Sequence, residues 1–128
     1  MSSSSDARER AMALLYEASI RSVDVGTVID GLALDPAPLA ALLARGVDEH
    51  RDELDEAISS ASVNWKLDRI ATMDLTILRL AAYELAHRPD VPLAVVIDEA
   101  VELAKRFSTD DSGRFVNGVL SRVAEILR

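Results

Sequence analysis

Apolar residues recur at helical spacing along most of the chain. In the first such stretch a small set repeats every three or four positions: Ala7, Ala11, Leu14, Leu15 and Ala18. This spacing places the side chains on one face of an α-helix. About seven stretches of this kind, joined by short connectors, predict an all-α fold built as a compact bundle of about seven helices.

The N-terminal half contains several predicted helix starts. Residues 1–6 are expected to form a polar, disordered tail, and residues 7–128 a helical domain whose first helix is capped by Asp6. The pair Asp35-Pro36 predicts a later helix start, because aspartate can cap and proline suits the first turn. The buried stripe of that helix is expected to be Leu39, Leu42 and Leu43. From Val23 to Leu67 the pattern fits either two helices or three.

Three helices are predicted in the C-terminal half. One opens at Asp74 and ends at His87, shortly before a proline that disfavours helix in the residue preceding it. The next ends at Phe107, and the last starts near Asp111. Gly118 in the middle of the last helix costs about 1 kcal/mol relative to alanine, and the close approach of a neighbouring helix would explain it.

Composition and charge narrow the class of protein. The chain has 128 residues, 49% of them hydrophobic but only 4% aromatic, so the core of one domain must be aliphatic. Its net charge of −8 is unfavourable for nucleic-acid binding, which usually draws affinity from basic patches. The absence of cysteine excludes disulfides and thiolate zinc sites and fits a cytoplasmic location. No apolar run is long enough to cross a membrane.

No motif for catalysis or for a cofactor stands out. There is neither a G-x-S-x-G nucleophile elbow nor a phosphate-binding glycine loop, so we expect a non-enzyme without a cofactor. Glu99 and Glu102 share a helix face that could suit a metal, but a solvated acidic face is the favoured interpretation. Neither His50 nor His87 has a partner at ligand spacing in the sequence, so no metal site is expected.

The five aromatic residues carry more information. Phe107 is expected in the core, and Trp65 is expected to anchor a connector. From the residues alone, Tyr16 and Phe115 are best interpreted as residues that pack at the edge of the core. The alternative is that both rings stack on unpaired bases. The basic residues that would then contact phosphates are Arg8, Arg10, Lys105, Arg106 and Arg114.

Four segments in order resemble the NusB family of transcription antitermination factors. They are ARERAMALLYE at 7–17, ILRLAAYEL at 77–85, DVP at 90–92 with VIDEAVELAKRF at 96–107, and DSGRFVNGVL at 111–120. The resemblance spans nearly the whole chain and is weakest from Val23 to Leu67. It implies an all-helical protein made of two small helical bundles packed together.

The resemblance also implies a function and partners. NusB proteins pair with NusE, a ribosomal protein, and bind the boxA element of nascent ribosomal RNA, which helps RNA polymerase resist termination within an antitermination complex. By motif, the implied RNA-binding residues are Arg8, Arg10, Tyr16, Lys105, Asp111, Arg114 and Phe115. The implied NusE contacts are Asp74, Arg79, Tyr83 and Glu84.

One departure from the family pattern leaves an alternative open. The family's basic N-terminal arm is replaced here by Ser2 to Asp6, so fewer phosphate contacts are available. The alternative is a protein-interaction module of the same fold, binding NusE or itself, with weakened RNA binding. A homodimer could bury the same surface.

Overall fold

The computed structural model describes residues 3–62, 64 and 66–128, and it contains no strand within these residues. The helices described are α1 (Ser4–Arg21), α2 (Val25–Asp30), α3 (Pro38–Glu49), α4 (Arg51–Ala61), α5 (Thr72–His87), α6 (Leu93–Phe107) and α7 (Asp110–Leu127), with a 3-10 turn at Leu67–Arg69. The predicted all-α class is confirmed, and the stretch from Val23 to Leu67 holds three α-helices. Trp65 lies outside the described residues.

The first helix starts earlier than the sequence predicts. Ser3 is its N-cap: the Ser3 hydroxyl accepts a hydrogen bond from the Asp6 backbone N–H at 3.0 Å, and the Asp6 carboxylate accepts one from the Ser3 N–H at 3.3 Å. This capping box satisfies two N–H groups that a helix start otherwise leaves unpaired. Residues 4–6 therefore belong to the helix and not to a tail, and the predicted start at Asp6 is wrong.

The second helix is capped by a carboxylate. Asp24 accepts hydrogen bonds from the Thr27 hydroxyl at 2.8 Å and from the Thr27 backbone N–H at 2.9 Å. Both bonds favour the charged form, the hydroxyl bond most, so the pKa of the Asp24 carboxyl lies below its ordinary value.

The third helix differs from its prediction in start and in buried face. It begins at Pro38, with Ala37 as N-cap, and not at Asp35-Pro36. Leu43 is fully buried and Leu39 partly buried, but Leu42 is 51% exposed and was wrongly placed in the core. The buried face runs along Ala40, Leu43, Ala44 and Val47, and Leu42 lies about 100° from Leu43 around the helix.

The helices pack as two groups that share α5. Helices α1, α2 and α3 contact one another, and α5, α6 and α7 contact one another, with α4 against α5 and α7. Because α5 also contacts α1 and α3, it lies between the groups. The two-bundle expectation is confirmed. The largest fully buried apolar side chains are aliphatic: Leu14, Leu43, Leu54, Ile58, Ile77, Leu78, Leu85 and Leu120. In the described part of the chain, no helix is long and apolar enough to cross a membrane.

Two helical glycines have opposite surroundings. A Cβ atom at Gly46 in α3 would lie 2.3 Å from the Cζ atom of Tyr83, so α3 and the Tyr83 ring of α5 meet where only glycine fits. A Cβ atom at Gly118 would meet no atom within 4 Å. The predicted close approach of a helix at Gly118 is therefore wrong, and the close approach occurs at Gly46.

Candidate functional site

A surface cleft of about 290 Å³ opens where the first turns of α5 and α7 meet the 3-10 turn. It is lined by Arg69, Ile70, Ala71, Asp74, Thr109, Asp111, Ser112 and Phe115. Three of these residues, Asp74, Asp111 and Phe115, were predicted from the sequence as RNA or partner contacts. The fold thus brings together residues that are about 40 positions apart in the chain.

The floor of the cleft is a hydroxyl and carboxylate network. The Ser112 hydroxyl donates to the Asp74 Oδ2 atom at 2.9 Å and lies 2.9 Å from the Ser108 hydroxyl and 3.0 Å from that of Thr109. Thr109 is the N-cap of α7 and accepts from the Ser112 N–H at 3.0 Å. The Asp74 Oδ1 atom is buried and has no hydrogen-bond partner within the described parts of the chain. The cost of removing this oxygen from water is therefore not offset by a hydrogen bond from these residues.

One basic residue, Arg69, lines the cleft, and two more, Arg114 and Lys105, lie next to its lining residues. Arg114 lies almost fully in solvent, where it pairs with Asp111 one helical turn away. The methylene stem of exposed Lys105 lies over Gly113, because a Cβ atom there would be 2.9 Å from the Lys105 Cγ. Arg69 is exposed and lines the opposite side. A half-buried aromatic ring at Phe115 beside these charges can stack on a base while the cations contact phosphate.

Sequence reasoning missed Arg69, Thr109 and Ser112 as lining residues. The available signal for Arg69 was a basic residue in the predicted short turn just before α5. Thr109 and Ser112 carried only the signal of a helix cap, and their place in the cleft depends on the packing of α7 against α5.

A second groove of about 260 Å³ runs between α1 and the end of α6. Its lining includes Arg10 and Phe107, and the neighbouring Arg106 lies 4.9 Å from the centre of the Phe107 ring and pairs with Glu9 at 2.9 Å. Phe107 is 40% exposed, so its predicted place in the core is wrong. Phe107 is the last residue of α6, whereas the buried stripe of that helix ends at Ala104.

The structure places Arg8, a predicted phosphate contact, in the interior. Its guanidinium donates to Glu84 through Nε at 2.6 Å and Nη2 at 3.0 Å, and it lies 3.5 Å from Glu99. Arg8 is only 4% exposed and Glu84 1%. The hydrogen bonds to Glu84 raise the pKa of the Arg8 guanidinium, so this buried cation stays charged and paired.

Three of the four predicted partner contacts also serve the fold. Glu84 is buried against Arg8, and Tyr83 is 9% exposed against α3. Arg79 donates two hydrogen bonds to Asp55 of α4, at 2.7 Å and 3.0 Å. Their side chains are engaged by contacts within the bundle. Arg79 and Glu84 each line a small cleft of about 10 Å³, whereas Asp74 lines the cleft of about 290 Å³.

Tyr16 lies half-buried on α1. The preceding residue, Leu15, lines a small cleft together with Thr76 and Arg79 of α5. The expected position of Tyr16 at the edge of the core agrees with this burial.

Comparison with protein families and sequences gives consistent matches. The model of the NusB family matches residues 5–125. The transcription antitermination protein NusB of Bacillus subtilis (strain 168) is 50% identical over 120 residues, which cover 91% of each chain. The protein of the same name from Geobacter sulfurreducens is 42% identical over 127 residues, covering 94% of this chain and 92% of that one.

Comparison with solved structures gives the same fold. NusB from T. maritima has a TM-score of 0.88 at 33% identity, covering 97% of this chain and 92% of that one. A chain in the crystal structure of antitermination factors NusB and NusE in complex with dsRNA has a TM-score of 0.80 at 26% identity, covering 94% of both chains.

Proposed function

Because the chain belongs to the NusB family, we propose that it is a transcription antitermination factor. Together with NusE it binds the boxA element of nascent ribosomal RNA and helps RNA polymerase resist termination. The observation that carries this proposal is the 50% identity, over 91% of the chain, to a protein named for antitermination. The role is that of a binding adaptor in the cytoplasm, where the transcript is made, and it needs no catalysis.

The Phe115 cleft is the part of the surface that fits the proposed RNA. The groups that could bind RNA lie close together in the chain. Lys105 is in the last turn of α6, and Asp111, Arg114 and Phe115 are in the first turns of α7. Aromatic stacking binds unpaired bases with little dependence on sequence, and lysine and arginine hold the backbone. Arg69 adds a third cation from the other side of the cleft.

Asp74 is the best supported of the proposed partner contacts. Its Oδ2 atom is held by Ser112, while the buried Oδ1 atom lacks a hydrogen-bond partner within the described residues. A donor from NusE or from an RNA base that entered the cleft would satisfy it. Buried acceptors of this kind discriminate strongly for ligands that supply the missing donor.

The charge distribution predicts weak RNA binding by this chain alone. The net charge is −8, the arm that precedes α1 is serine-rich, and the buried Arg8 is withdrawn from phosphate contact. Each lost phosphate contact reduces both the affinity and its dependence on salt. We therefore propose that NusE supplies part of the positive surface in the complex.

Assembly of the complex tests the proposal. The chain, NusE and a boxA RNA are mixed, alone and in pairs, and molar masses are measured by light scattering after size exclusion. The proposal expects a complex of all three components. A chain that binds NusE and leaves the RNA free in every mixture would instead be the protein-interaction module. A stable homodimer that RNA and NusE fail to dissociate would identify a self-associating module.

A further inference from the structure

The two histidines of the chain meet at one place on the surface. The His50 and His87 rings are stacked, with their centres 3.9 Å apart and their planes inclined by 30°. Glu53 completes the group, its Oε1 atom 2.8 Å from the His87 Nε2. The chain contains two histidines and no cysteine, so every imidazole it can offer to a metal is in this cluster.

Three helices bring these residues together. His50 is the junction between α3 and α4, Glu53 lies one turn further along α4, and His87 is the last residue of α5. Residues at i and i+3 share a helix face, so His50 and Glu53 point to the same side. His87 is 34 residues beyond Glu53, a separation at which no local spacing motif for a metal site can be recognised.

We propose that His50, Glu53 and His87 form a binding site for a divalent transition metal ion of the zinc class. One ligand atom from each residue lies within 4.8 Å of the others. Tetrahedral zinc holds its ligand atoms about 3.3–3.5 Å apart, given bonds of about 2.0–2.2 Å. For an ion to bind, the 2.8 Å contact between the Glu53 Oε1 and His87 Nε2 atoms widens by about 0.5 Å, and the longer separations, all within 4.8 Å, shorten.

The surroundings favour an ion with an open coordination position. His50 is partly buried and the other two residues are exposed, so an ion can enter and water can complete its coordination. Two imidazoles and one carboxylate are a donor set used by zinc sites that retain a bound water. Imidazole ligands select zinc, copper and nickel over magnesium and calcium.

The base of the cluster is rigid. The Tyr83 ring is stacked 5.2 Å from His87 and lies 6.0 Å from His50, and it is itself held against Gly46. The neighbouring cations Arg51 and Arg88 are ion-paired to Asp48 and Glu84, at 2.7 Å and 3.5 Å. Their charges are thus partly compensated, which lowers the repulsion that an incoming cation would meet.

This site is separate from the proposed RNA surface. His87 ends α5 and the Phe115 cleft lies at its beginning, so the 16 residues of the helix place them about 24 Å apart. An ion here would join the start of α4 to the end of α5. The metal proposal can therefore fail while the antitermination proposal stands, and the reverse.

Calorimetric titration of the tag-free protein with Zn²⁺ tests the site. The expected result is one ion per chain, with the melting temperature raised by about 5 °C at free Zn²⁺ ten times the Kd. Co²⁺ should show the visible absorption of a four-coordinate site. His50→Gln, Glu53→Gln and His87→Gln should each weaken binding more than about tenfold.

Glu56→Gln is the matched control, since Glu56 is an exposed carboxylate of α4 outside the cluster and should leave the affinity unchanged. Because Glu53 is itself exposed, Glu53→Gln keeps the site testable even if a histidine variant unfolds. The proposal is overturned by no binding to the wild-type chain, or by binding that survives Glu53→Gln.

Discussion

Arg8 of α1 and Glu84 of α5 form a buried ion pair through two parallel hydrogen bonds, of 2.6 Å and 3.0 Å. The pair joins the first helix to the central one, and Arg88 and Glu99 add weaker contacts at 3.5 Å. Both residues were assigned from the family resemblance to binding surfaces. Because both side chains are buried, each compensates the charge of the other, and the pair contributes to the packing of α1 against α5.

Removal of Arg8 should therefore affect stability. Arg8→Ala leaves the Glu84 carboxylate buried without its main partner, and breaking such a pair costs about 3–5 kcal/mol. Urea denaturation measures the loss, and Arg10→Ala, at an exposed position of the same helix, should change the free energy of unfolding by less than about 0.5 kcal/mol. An Arg8→Ala chain of unchanged stability would contradict the structural role.

Gly46 and Gly118 should respond oppositely to substitution by alanine. Gly46→Ala places a methyl group 2.3 Å from the Tyr83 ring, and overpacking of this kind costs about 1–3 kcal/mol. Gly118→Ala adds its methyl in open space within a helix and should stabilise by about 0.5–1 kcal/mol. Thermal denaturation of both variants is the measurement. Equal effects of the two substitutions would show that α3 and Tyr83 are not in close contact.

The Asp24 cap predicts a pH-dependent contribution to stability. The pKa of Asp24 is lowered in the folded chain from its ordinary value of 3.8 by the Thr27 hydrogen bonds. The stabilisation by the charged cap is therefore fully present above about pH 4 and lost as the pH falls through the lower, folded pKa. Asp24→Ala should have a lower melting temperature than wild type at pH 7. This difference in melting temperature should become smaller below pH 4.

An exposed aspartate provides the control for the cap. Asp35→Ala removes a carboxylate from the connector before α3 and should show no comparable gap at pH 7. If the gap between Asp24→Ala and wild type stayed constant down to pH 2, the Thr27 hydrogen bonds would not depend on the charge of Asp24.

Phe115 should contribute to RNA binding more than to stability. If its ring stacks on a base, Phe115→Ala weakens binding of boxA RNA in the presence of NusE by about 1–3 kcal/mol, while the helical content is retained. Fluorescence anisotropy gives the affinity and circular dichroism the fold. Leu34→Ala, at an 84% exposed position between α2 and α3, is the control. A large loss of stability with unchanged affinity would make Phe115 a core residue.

Periodicity identified the helices because each apolar stripe reports which face is buried. Periodicity predicted the first residue of a helix less reliably. The cap at Ser3 and the start at Pro38 depend on backbone geometry, and several nearby residues were also suitable as caps. Phe107 and Leu42 were misplaced for a related reason. Both are apolar residues next to a buried stripe, and an apolar side chain at that boundary can be either buried or exposed.

The binding surfaces were only partly predictable, because they combine distant segments. Asp111 and Phe115 were identified from one local motif, and the structure adds Ser112 from the same motif and Arg69 from the 3-10 turn before α5. Arg8 matched the motif but its partner Glu84 is 76 residues away. The His50 and His87 cluster was missed because the two residues meet only when the ends of α3 and α5 pack together.

The most direct test is a titration of labelled boxA RNA with the chain, with and without NusE, at several salt concentrations. The account predicts weak binding by the chain alone and much tighter binding with NusE, stronger for boxA than for a scrambled RNA, with an affinity that falls as salt rises. No binding of boxA RNA at low salt, whether NusE is present or absent, would contradict it.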